Sequence, residues 1–69
     1  MNITSAAVDL AHELQVMLFE LARREDDLAC AEAAATPYWE PTPTSVVGHR
    51  SAAAALRAQA EAIFTVQAA

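Results

Sequence analysis

Ser45, His49 and Arg50 lie within six residues of one another, and the four-residue step from Ser45 to His49 puts both on one face of a helix. A hydroxyl, an imidazole and a guanidinium at that spacing suit two kinds of chemistry. One is nucleophilic catalysis, in which His49 activates Ser45 and a carboxylate, Glu25 or Glu32, orients the ring. No strained nucleophile elbow and no oxyanion hole accompany those residues, so the chain is read as a non-enzyme. The other is capture of an anion by hydroxyls, backbone N–H groups and arginine at a helix start.

Neighbouring residues favour the second chemistry. Thr42, Thr44 and Ser45 cluster hydroxyls at the same point, and His49 adds a ring nitrogen that can donate. Arg50 sits in the first two turns of the expected helix, where a cation opposes the helix dipole unless an anion is present. Gly48 costs about 1 kcal/mol relative to alanine inside a helix, so something is expected to approach the backbone there. Tyr38 and Trp39 supply aromatic faces on which a base could stack. The candidate ligand site is therefore Tyr38, Trp39, Thr42, Thr44, Ser45, Gly48, His49 and Arg50.

Each of these residues also has a purely structural reading. Thr42 can cap a helix, and Arg50 can pair with Glu25 or Glu32 across a hairpin and fix its register. Trp39 can pack on Gly48 and clamp the bend. The two rings are equally the material of a protein-binding hot spot, where Trp, Tyr and Arg dominate.

The elements that position these residues follow from proline, glycine and alanine usage. Residues 5–35 hold neither glycine nor proline and are rich in Ala, Leu and Glu, which predicts one long helix with Thr4 or Ser5 as its cap. All three prolines fall at 37, 41 and 43. The residue before a proline is pushed out of the helical region, so the first helix stops at Thr36 and 36–42 becomes a stiff Pro/aromatic connection. Thr42 followed by Pro43 predicts a second helix over about 43–66. A connection this short favours antiparallel neighbours, so residues 1–69 form a single all-α domain, an antiparallel two-helix hairpin.

A hairpin of 69 residues has little interior, and a chain of this size buries only about 60% of the surface that it exposes when unfolded. One cysteine, Cys30, permits no internal disulfide, and Cys30, His12 and His49 are too scattered for a metal site. No cofactor is implied. Self-association is the remedy left, with a dimeric four-helix bundle as its simplest form and a trimer or hexamer of hairpins as alternatives.

The apolar pattern agrees. Leu10, Leu14, Met17, Leu18, Leu21 and Leu28 form a stripe with Ala11, Ala22 and Ala29, while Val8, Val16 and Phe19 form a second patch. On the second helix Leu56 and Ile63 share a face with Ala52 and Ala60, and Phe64 and Val66 extend it. Val8, Leu14, Val16, Leu18, Phe19, Leu21, Leu56 and Ile63 are the candidate interface between copies in a homo-oligomeric helical bundle. Glu25 and Glu32 fall in the leucine sector and need partners there, for which Arg50 and Arg57 are the candidates.

A formal net charge of −5 with only four basic residues disfavours duplex nucleic acid as a partner. No run reaches the length of a membrane span, and no leader pattern opens the chain, so a cytoplasmic protein is expected. The leading expectation is a non-enzymatic oligomer that captures a small anionic, nucleotide-like ligand at 36–50. In size and organisation, with no motif shared, the chain is similar to small phage-encoded helical oligomers that sequester signalling nucleotides. The alternative is a scaffold module that docks a protein through the Tyr38, Trp39 and proline surface.

Overall fold

A computed structural model describes the backbone of residues 3–68 and the side chains of residues 5–63. It is all-helical: α1 spans Ile3–Ala35 and α2 spans Thr44–Ala68, antiparallel to each other in a hairpin of 58 × 18 × 12 Å. The side chains of Thr4, Phe64 and Val66 lie outside the described residues. Among the described residues no helix is long and apolar enough to cross a membrane.

Two boundaries differ from the expected ones. Helix α1 already runs through Thr4 and Ser5, so Ser5 is a helical residue and not a cap. Helix α2 begins one residue later than expected, and Pro43 takes the cap position from Thr42, its carbonyl accepting the Val46 N–H at 3.1 Å. Proline cannot donate an N–H there, and at a cap no donor is required of it.

The seam between α1 and α2 is built on small residues repeating every seven positions. Ala22 and Ala29 on α1, and Val46, Ala53 and Ala60 on α2, are at most 1% exposed. A seven-residue repeat keeps one stripe facing the partner helix along its length. Because four of the five are alanine, the helix axes can approach toward the near end of the usual 8–10 Å range. Gln15 extends the α1 series by one step and donates from Nε2 to the Ala60 carbonyl at 3.0 Å.

This packing corrects the expected role of the leucine stripe. Of that stripe, Leu18 and the alanines turn toward α2, with Leu18 half-buried beside Ala22. Leu10, Leu14, Met17, Leu21 and Leu28 stand outside the seam, between 41% and 67% exposed. Leu56 and Ile63, expected at an interface between copies, are likewise half-buried on the side of α2 that carries Ala53 and Ala60. The reason is steric: an alanine series lets the two helices close, whereas a leucine ridge would hold them apart.

Val8, Val16 and Phe19 are exposed, at 41–50%, on the flank of α1 away from the ridge. Val46 is the largest fully buried side chain among the described residues, so the hairpin covers little of its bulky apolar material.

Candidate functional site

The bend is fixed by short-range hydrogen bonds. Thr36 donates its hydroxyl to the Glu32 carbonyl at 2.8 Å and its N–H to the Ala33 carbonyl at 3.2 Å, which closes the last turn of α1. The Glu40 N–H donates to the Pro37 carbonyl at 3.0 Å, so Pro37 to Glu40 form a turn with both rings at its two central positions. Central turn positions point side chains away from the chain. Tyr38 is accordingly 95% exposed and Trp39 71% exposed, their rings edge to face with centroids 5.1 Å apart.

A shallow cleft of about 170 Å³ lies under Tyr38, lined by Ala33, Thr36, Pro37, Glu40, Thr42 and Pro43. Its charged wall is a carboxylate. Ser45, His49 and Arg50 do not reach it.

The first turns of α2 meet acids instead. The Ser45 hydroxyl donates to Glu32 Oε1, and Nδ1 of His49 lies 2.5 Å from Glu25 Oε2, where an ionised carboxylate can only accept. Arg57 pairs with Asp26 on the flank of the seam. Glu25 and Glu32 therefore have their partners in His49 and Ser45, not in Arg50 as expected. Arg50 is exposed and, among the described residues, makes no ion pair.

These contacts rearrange the catalytic outline. Glu25 does hold His49, but the Ser45 hydroxyl is turned to Glu32, so no nucleophile–base hydrogen bond forms. Gly48 corrects another expectation: a Cβ added there would meet nothing within 4 Å, so neither Trp39 nor a second element packs on it. Of the eight candidate ligand residues, Thr42 and Tyr38 share the cleft, Trp39 touches this group through the Tyr38 ring, Ser45 and His49 share the row of acids, and Gly48 and Arg50 stand apart. Thr44 is an exposed first-turn residue.

The structure adds a feature that sequence reasoning had assigned elsewhere, the exposed ridge of Leu10, Leu14, Met17, Leu21 and Leu28. Its signal was present in the 4-3 spacing of positions 10, 14, 17, 21, 24 and 28, a second heptad series beside the alanine one. Cys30 is an exposed free thiol, and among the described residues no three His, Cys, Asp or Glu groups are placed to hold a metal ion.

No protein-family model matches the chain, and no characterised protein or solved structure matches it significantly.

Proposed function

We propose that the chain is a non-enzymatic interaction module, a self-associating helical hairpin that docks another protein through the Tyr38, Trp39 and proline surface of its bend. One observation carries this reading: two adjacent large rings stand in water on a hydrogen-bonded turn that holds them in place. Rings presented at low conformational cost are the usual centre of a binding hot spot. The single thiol of Cys30 suits work in the reducing cytosol.

A photo-crosslinking residue at position 38, compared in cells with one at exposed position 54, tests the docking. A discrete protein adduct specific to position 38 and lost with Trp39→Ala supports it. The same adducts from both positions, or none, would sink it.

A second reading, capture of a small anionic, nucleotide-like ligand, draws support from the unpaired guanidinium of Arg50 near the start of α2. Against it stand the carboxylates of Glu25 and Glu32 on His49 and Ser45, which occupy its donors and repel anions. Titrating mono-, di- and cyclic nucleotides while following Trp39 fluorescence and the melting temperature tests it. A saturable response abolished by Arg50→Ala supports the ligand reading, and no response to the panel contradicts it.

A further inference from the structure

We infer that one broad face of the hairpin, made by the α1 ridge and the small-residue strip of α2 beside it, is the surface on which a second copy of this chain packs. This rests on the self-association proposed above and assigns it to a face.

The two broad faces differ in chemistry. The Arg57–Asp26 pair marks one face, and helix geometry places Phe19, Arg50 and Glu61 on that same side. The opposite face carries Leu10, Leu14, Met17, Leu21 and Leu28, with Arg24 the sole charge in that heptad series, and the Glu25–His49 and Glu32–Ser45 contacts lie between the ridge and α2 toward the bend. Alongside it α2 shows its own 4-3 series at 48, 52, 55, 59 and 62, which reads Gly, Ala, Ala, Gln, Ala. Among the described residues nothing lies within 4 Å of where a Cβ on Gly48 would stand, and Ala55 and Ala62 are exposed.

Area sets the size of the footprint that an occupant of this face could cover. The chain exposes 5241 Å², whereas a compact monomer of 7.3 kDa exposes about 4,200 Å². The excess of roughly 1,000 Å² is what one partner contributes to a standard-sized stable interface, about 800 Å² a side. Shape agrees with a second copy in particular. A two-fold interface must be self-complementary. The ridge centres on residue 19 and the strip on residue 55. In the register set by Gln15 with Ala60, residue 55 lies level with residue 20, about 1.5 Å along the axis from 19. Turning one copy over by a two-fold axis in the plane of the face therefore lays the two apolar series of one chain on those of the other without overhang.

Light scattering on a sizing column, with a Cys30→Ser background to remove adventitious disulfides, tests the inference. The unsubstituted face is expected to give twice the mass of one chain. Leu21→Arg on the ridge and Ala55→Leu on the strip are each expected to raise the dissociation constant at least tenfold. Ala55→Leu is the more decisive of the two, since leucine is a good helix former and in a lone hairpin this side chain would only enter water. Phe19→Arg and Val16→Arg, on the other flank, are expected to leave the dimer intact. A monomer at all concentrations would overturn self-association itself. A dimer indifferent to Leu21→Arg and Ala55→Leu but dissociated by Phe19→Arg would leave self-association standing and overturn this face.

Discussion

His49 and Arg50 are neighbours in sequence with opposite fates. His49 faces Glu25 across the seam and both are about two-thirds covered, so Glu25→Ala strands the ring and should cost about 1 kcal/mol. Among the described residues Arg50 pairs with no acid, and Arg50→Ala should change stability by less than about 0.5 kcal/mol. Urea titrations of the two variants check this, and the reverse ranking would show that the register is set by Arg50. In the lone hairpin Gly48→Ala should stabilise α2 by roughly 0.5–1 kcal/mol, because within one chain the added methyl enters open space and alanine favours the helix. A lower melting temperature for Gly48→Ala at concentrations where the chain is dimeric would mean that the proposed second copy approaches the backbone there. The positions of these residues were legible from the sequence, but their partners were not. A one-residue difference on a helix rotates a side chain by 100°, enough to exchange His49 for Arg50 opposite Glu25.

At the scale of elements, both helices and the bend between them could be read from the three prolines and the alanine-rich runs, within two residues at each end. Which stripe of α1 faces α2 could not. Two heptad series run side by side on α1, and hydrophobicity alone selects the leucine one, whereas close approach selects Ala22 and Ala29. That choice has a measurable consequence. Ala53→Leu overpacks the seam and should destabilise the hairpin by about 1–3 kcal/mol, with loss of helical circular dichroism at moderate urea. An unchanged unfolding midpoint for Ala53→Leu would show that the alanines do not line the seam. The bend behaves differently. Because Trp39 is 71% exposed, Trp39→Ala should leave the unfolding midpoint within about 0.5 kcal/mol of the parent while abolishing the position-38 adduct.

At the scale of the molecule, the hairpin closes its seam with methyl groups and leaves its largest apolar side chains outside. Small side chains bury little area each, at about 25 cal/mol per Å² of apolar surface removed from water, so the seam alone gives a weakly stable unit. In the proposed dimer, the five exposed ridge residues and the small-residue strip beside them would supply the missing burial. On that proposal folding and association form one equilibrium, and stability should depend on concentration. The most direct measurement is thermal unfolding followed by circular dichroism over a thousandfold range of concentration, with the mass measured at each. The melting temperature should rise steadily with concentration, and mass should approach twice 7.3 kDa where the helices are fully formed. A concentration-independent, cooperative transition of a fully helical 7.3 kDa monomer would contradict it.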